Sequence, residues 1–101
     1  MLYFVTYTAK DRTTKEIVTL VKVGKTSKIA ARLMQYLCYN PAAEFLGHKV
    51  GYTKAKKATH KRMERLGCKH FRSAIRSEWF TLPDGMTPEE LAKLLKFEPF
   101  E

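Results

Sequence analysis

The chain has 101 residues, of which 45% are hydrophobic and 12% aromatic, so it has the size and composition of one folded domain rather than of a disordered segment. No apolar run approaches the roughly 18 residues of a membrane-spanning helix, and the first residues lack the pattern of a signal peptide. Two cysteines, Cys38 and Cys68, are too few for a disulfide framework, so a reducing, cytoplasmic compartment is expected.

Positive charge is concentrated in one part of the sequence. The chain carries a formal net charge of +9, and residues 54–76 alone hold nine basic residues against one acid, a local net charge of +8. Such a block is typical of a protein that contacts a polyanion, because each phosphate contact releases counterions. A helix face that is basic only for solubility is the alternative. The predicted DNA contacts in this block are Lys54, Lys56, Lys57, Lys61, Arg62, Arg65, Lys69, Arg72 and Arg76.

The first half of the sequence predicts two strands, a helix and a third strand. Residues 2–8 and 16–24 are rich in β-branched and aromatic side chains, which favours two strands joined by a polar hairpin loop. Thr26 or Ser27 then caps a helix over residues 27–37. An Asn-Pro turn ends that helix, and residues 43–52 predict the third strand.

The second half predicts two helices separated by a short strand. Thr53 is the expected cap of a basic helix, and Gly67 stands where a glycine commonly ends one. Residues 68–77 fit either a short helix or a loop, and residues 78–82 predict a strand. The Thr-Pro-Glu-Glu sequence of residues 87–90 is typical of a helix start, with Thr at the N-cap, Pro at N1 and Glu at N3.

The order β-β-α-β-α-β-α predicts a small α+β domain over residues 1–101, with helices packed on a mixed or antiparallel sheet. Its most informative segment is the junction between the second strand and the first helix. Gly24 ends the strand, Lys25 follows, and the helix begins at once, which suits an anion. Arg32 and Tyr36 are four residues apart on one helix face. Each has an ordinary structural explanation alone, but together with Lys25 they form a predicted phosphate site.

These residues resemble the motifs of the GIY-YIG nuclease superfamily. Tyr3 lies in the first strand, and Arg32 follows Gly24 by eight residues, which is the spacing of the family's catalytic arginine. Residues 22–26, Lys-Val-Gly-Lys-Thr, and residues 78–80, Glu-Trp-Phe, are similar to motifs of the phage-type branch. The resemblance covers about residues 1–82 and leaves a C-terminal turn and helix at residues 83–101. It implies a phage or mobile-element nuclease with a three-stranded sheet flanked by helices, to which the short strand and the last helix are added.

The resemblance also implies a role for individual side chains. Tyr3 acts as a base or supports the nucleophile, Arg32 stabilises charge on the phosphoryl oxygens, and Tyr36 handles a proton. Lys25 anchors the phosphate, His60 matches a histidine of the same branch, and Lys22 is a further expected contact to DNA.

One divalent ion, Mg²⁺ or Mn²⁺, is expected as cofactor, with Glu64 or Glu78 as its ligand. The family's glutamate lies a few residues before the histidine, where this chain has Lys56 and Lys57, and a charged lysine cannot bind a hard cation. Helical phase points Glu64 to solvent, whereas strand alternation leaves Glu78 open. The sequence therefore predicts a DNA endonuclease or nickase. Two alternatives are an inactive nucleic-acid-binding module on the same fold and a protein that meets an acidic partner through the basic helix.

Overall fold

The computed structural model describes residues 1–10, 14–39, 42–71 and 79–99, which form an α+β domain. Its strands form one sheet in the order β3-β1-β2-β5-β4, with every neighbouring pair antiparallel. The elements in chain order are β1 (Leu2–Lys10), β2 (Ile17–Lys25), α1 (Ile29–Tyr39), β3 (Glu44–Lys49), α2 (Thr53–Arg65), β4 (Lys69–His70), β5 (Trp79–Thr81) and α3 (Pro88–Leu94). The predicted α+β class is confirmed, and no helix in these ranges is long and apolar enough to cross a membrane.

Strand β1, which lies inside the sheet between β3 and β2, has apolar side chains on both faces because both faces are covered near its start. Leu2 and Phe4 belong to a core that includes Met63 of α2 and Leu91 of α3. The intervening Tyr3 and its neighbours belong to a smaller cluster on the opposite face, where α1 begins. Alternation along the strand thus produces two layers of packing from one continuous apolar run.

Local signals set the ends of two helices as the sequence predicts. At α3 the Thr87 hydroxyl accepts a hydrogen bond from the Glu90 backbone N–H, and the Glu90 carboxylate accepts one from Thr87, which completes a capping box. After α2 the chain turns at Gly67 with φ +105°, and the Cys68 N–H donates to the Met63 carbonyl. A side chain at this φ is strained, so glycine favours the turn.

The sheet is larger than the resemblance implies. It has five strands rather than three strands and a short extra one, because Lys69–His70 add a strand beside β5. At the other edge, His48 and Glu98 form an antiparallel bridge, so the chain after α3 covers part of β3. Gly47 permits this crossing, since a Cβ there would lie 2.8 Å from the Cβ of Phe97.

Lys49, at the end of edge strand β3, contacts the segment that follows α3. Its ammonium group donates to the Leu95 carbonyl over 2.8 Å and lies 4.7 Å from the centre of the Phe97 ring. Burial first, and then the positive charges of Arg62 and Lys96, lower the pKa of Lys49. The C-terminal helix is therefore attached through hydrogen bonding as well as through its apolar face.

Candidate nucleic-acid and catalytic site

The candidate site is built around the end of β2, where Gly24 pairs with Tyr3 of β1. A Cβ on Gly24 would lie 2.2 Å from the Tyr3 hydroxyl and from its ring carbon Cζ, so only glycine fits under this side chain. Tyr3 is 2% exposed and stacks on Phe45, with ring centres 5.3 Å apart. The tyrosine is thus fixed in place against the backbone that leads into the predicted phosphate site.

The first helix begins four residues after this strand. Thr26 accepts a hydrogen bond from the Lys28 N–H ahead of the helix, and Ile29 packs against the cluster that contains Tyr3. Arg32 is half-buried one turn further on, on the same side of α1 as Ile29. The backbone of Tyr36 lies in α1 as predicted, but its side chain is outside the described part of the structure.

Lys25 connects the end of β2 to the start of α2. Its ammonium group donates a hydrogen bond to the Thr53 hydroxyl. This contact also explains a difference from the predicted helix start, because Thr53 is the first helical residue and Tyr52 is the N-cap, without a side-chain capping bond. We call the region formed by Tyr3, Gly24, Lys25 and the first residues of α1 and α2 the helix-start end of the sheet.

His60 and Lys22 contact the same two strands from different sides. The His60 Nε2 atom lies 3.1 Å from the Val23 carbonyl oxygen, and its ring lies 5.3 Å from that of Phe80. Lys22 instead lies over Trp79 at 5.8 Å, on the face that carries Tyr3. The predicted site residues Tyr3, Lys22 and His60 therefore all lie near the end of β2, but Tyr3 and Lys22 lie on one face of the sheet and His60 on the other.

The two carboxylates expected to bind a metal ion have different outcomes. Glu64 is exposed on α2, and its Oε1 atom lies 3.5 Å from His70 Nε2 on β4, on the opposite side of the sheet from Tyr3. Glu78 lies outside the described residues. Within residues 1–10, 14–39, 42–71 and 79–99, no three His, Cys, Asp or Glu side chains come together as a metal site. The described residues alone therefore do not bring together the several oxygen ligands that a hard divalent ion takes.

The outer side of α2 is strongly basic. Lys54, Lys57, Lys61 and Arg65 recur every three or four residues and are exposed, so they form one stripe along the helix. Arg62 is exposed beside this stripe, Lys56 is half-buried, and Lys69 is exposed on β4. Arg72 and Arg76 lie outside the described residues. We call the exposed stripe of Lys54, Lys57, Lys61 and Arg65 the basic surface of α2.

Three contacts at the site join residues whose sequence neighbourhood does not predict them. The Lys25–Thr53, Glu64–His70 and Lys22–Trp79 pairs join residues that are 28, 6 and 57 positions apart, respectively. The strand pairing of β2 with β5 sets the third contact, and the antiparallel pairing of β4 with β5 positions His70 for the second. The sequence near Lys25 and His70 does not reveal these contacts, because they form where helix α2 packs beside strands β2 and β4.

An antiparallel sheet with helices on both faces and a basic outer helix defines a small α+β domain with a surface suited to a polyanion. The model of the T5orf172 domain matches residues 2–97. The chain therefore belongs to the T5orf172 domain family, which is a phage-associated domain of endonuclease-like type. Among curated proteins and solved structures, no match to the chain was found.

Proposed function

We propose that this protein binds DNA through the basic surface of α2 and nicks a phosphodiester at the helix-start end of the sheet. The observation that carries the proposal is the position of Lys25, which reaches the first residue of α2 from the strand end that Tyr3 covers. This arrangement joins the basic helix to the segment that resembles a nuclease motif. Membership in an endonuclease-like family supports the same function.

Binding follows from the spacing and exposure of the basic surface of α2. Its members span the twelve residues from Lys54 to Arg65, whose ends lie about 16 Å apart along the helix axis, and the sequence from residue 45 to residue 63 contains no acid. If each of its four cations and the anchoring Lys25 neutralises one phosphate, the slope of log K against log salt is about −4.5. Replacing Lys57, Lys61 and Arg65 with Gln should reduce that slope to about −1.8. A flat salt response of the unaltered protein would favour the alternative of an acidic protein partner.

Cleavage requires charge stabilisation at the scissile phosphate, and we assign that role to Arg32. Arg32 is half-buried on the side of α1 that carries Ile29, which packs in the cluster with Tyr3, and a guanidinium is suited to bidentate contact with phosphate oxygens. Tyr3 is too deeply buried to reach a phosphate directly, so we assign it to holding Gly24 and supporting the attacking group. Lys25 anchors the phosphate, Tyr36 remains the proposed proton-handling hydroxyl, and His60 orients the end of β2 through the Val23 carbonyl.

The test is the conversion of supercoiled plasmid to the nicked form in the presence of Mg²⁺ or Mn²⁺. Arg32→Ala should lower the nicking rate on the order of a hundredfold or more, which is typical for loss of one charge-stabilising donor. DNA affinity should change little, because Arg32 is outside the basic surface of α2. Lys10→Ala, at the far end of β1, is the matched control for loss of one positive charge. Equal rates for Arg32→Ala and the unaltered protein would refute the assignment.

A second candidate function is a nucleic-acid-binding module without nuclease activity. The observation that favours it is the absence of a three-ligand metal group among the described residues, together with Lys56 and Lys57 at the position of the family's glutamate. The Glu78 carboxylate is the remaining candidate ligand for the proposed Mg²⁺ or Mn²⁺ ion. Salt-dependent DNA binding without nicking in any divalent metal would favour the binding module.

A further inference from the structure

The turn between β3 and α2 exposes two large apolar side chains that are separated in sequence by one glycine. Val50 is 83% exposed and Tyr52 is 75% exposed, although they flank a glycine that packs against the core. Single exposed apolar residues are common, but two that flank one anchored position form a local apolar projection. We call Val50 and Tyr52 the exposed pair.

The exposed pair is held on a closely packed backbone. A Cβ on Gly51 would lie 2.8 Å from the Cβ of Ala55 and 3.2 Å from the Leu2 side chain. The Tyr52 carbonyl accepts a hydrogen bond from the Lys56 N–H, which ties the end of the turn to the first turn of α2. The backbone of the turn is thus fixed between β1 and α2 while the side chains on either side of Gly51 remain in solvent.

The charges around the exposed pair are positive. Lys25 donates to the hydroxyl of Thr53, the residue after Tyr52, and Lys54 is exposed one position further on. A partner that fits must therefore present negative charge next to a surface on which an aromatic ring and a branched aliphatic side chain can pack. Nucleic acid combines both features, since phosphates border the flat faces and edges of the bases.

We propose that Val50 and Tyr52 insert against the bases of the bound nucleic acid while Lys25 and Lys54 contact the flanking phosphates. This inference rests on the proposed function, because it assumes that the helix-start end of the sheet contacts DNA. It adds a substrate class: DNA whose stack opens at low cost, such as a mismatched, gapped or single-stranded site, should bind more tightly than a perfect duplex.

The experiment compares affinity and base unstacking for a set of single variants. The probe is a short duplex with 2-aminopurine opposite a mismatch, whose fluorescence rises when the base leaves the stack. Tyr52→Ser should weaken binding by about 5- to 150-fold, the range measured when one stacking aromatic is removed, and should abolish the fluorescence increase. Val50→Ser should weaken binding in the same direction. The salt slope should stay unchanged, because no phosphate contact is lost.

Two controls make the result specific to the exposed pair. Ile17→Ser removes another apolar side chain that is 75% exposed, at the opposite end of β2, and it should leave affinity unchanged. Tyr52→Phe retains the ring and should bind as the unaltered protein does. Val50→Ser, Ile17→Ser and Tyr52→Phe should keep the thermal midpoint of the unaltered protein, because these side chains lie in solvent. Tyr52→Ser should keep or raise it, because serine at the N-cap of α2 can accept a capping hydrogen bond that Tyr52 does not make.

The outcomes separate this inference from the proposed function. Failure of the unaltered protein to bind DNA would overturn both. Normal DNA binding and a normal fluorescence increase with Tyr52→Ser would overturn only the base contact. Vesicles containing anionic lipid are the third probe. If Tyr52→Ser binds DNA normally but no longer binds vesicles that the unaltered protein binds, the base contact is overturned and the turn is assigned to a membrane surface.

Discussion

Replacing Gly24 with alanine would place a methyl group in space that the Tyr3 side chain occupies. The new Cβ would lie 2.2 Å from the Tyr3 hydroxyl and 2.8 Å from its Cε1 atom, well inside van der Waals contact. Tyr3 cannot swing away at low cost, because it is 2% exposed and stacked on Phe45. Overpacking of this kind typically costs about 1–3 kcal/mol.

The backbone at Gly24 would not itself oppose the substitution, since glycine residues with positive φ are found only at positions 67 and 85 in the described chain. Alanine should even stabilise slightly, by about 0.4–1 kcal/mol, through the unfolded state. Because the overlap is with a buried ring, we take the packing cost from the upper half of that range, about 2–3 kcal/mol. The net loss is then about 1–2.6 kcal/mol, and we expect Gly24→Ala to lower the thermal midpoint by about 4–20 °C, measured by circular dichroism. The same change should disturb any chemistry that depends on Tyr3.

A double-mutant cycle isolates the contact between the two residues. Tyr3→Leu removes the hydroxyl and the outer ring atoms, so Gly24→Ala should be neutral or stabilising in that background. A coupling free energy of about 1–3 kcal/mol is expected. Two results would refute the steric contact: an unchanged stability of Gly24→Ala, or an equal loss of stability on Gly24→Ala in the unaltered protein and in Tyr3→Leu.

Other predictions concern the cysteines and the helix ends. Cys38 is exposed, whereas burial raises the pKa of the Cys68 thiol to about 11. At pH 8 a thiol reagent should therefore label Cys38 quickly and Cys68 only on unfolding. Equal labelling rates for the two cysteines would contradict the described core. The pKa of Cys68 in the folded protein lies above its usual 9.0. The free energy that the buried neutral thiol contributes to folding is therefore complete below pH 9 and is lost as the pH rises towards 11. Urea titrations should show this loss of stability in the unaltered protein and less of it in Cys68→Ala. Lys96 follows α3 with φ +62°, and Gly67 follows α2 with φ +105°. Lys96→Gly should therefore raise the free energy of unfolding by about 0.5–1 kcal/mol, and Gly67→Ala should lower it by about 1 kcal/mol. Changes of the opposite sign in urea unfolding would refute the helix-end assignments.

The parts of the fold that the sequence predicts well are those with local causes. The capping box at Thr87 and the glycine turn at Gly67 depend on side chains within a few positions, so pattern and structure agree. The first two strands likewise follow from their run of β-branched and aromatic residues. The predicted start of α2 differs from the observed one by one residue, because Thr53 is the first helical residue and its hydroxyl accepts a hydrogen bond from distant Lys25 instead of capping the helix.

The parts that could not be predicted depend on the register of the sheet. β4 is two residues long and has no periodicity of its own, so only its pairing with β5 reveals it. The pairing of Tyr3 with Gly24 follows from the β1–β2 register, and it explains the glycine in physical terms that motif spacing does not supply. The contact between Glu64 and His70 likewise depends on the position of β4 in the sheet.

The central claim is that the helix-start end of the sheet and the basic surface of α2 hold DNA. The most direct measurement is a titration of the ¹⁵N-labelled protein with a short DNA duplex, followed by the backbone amide chemical shifts. The account predicts the largest shifts in residues 24–29 and 51–65, with little change in residues 14–18 and 88–94. Shifts confined to the latter segments, or no shifts at low salt, would contradict the account.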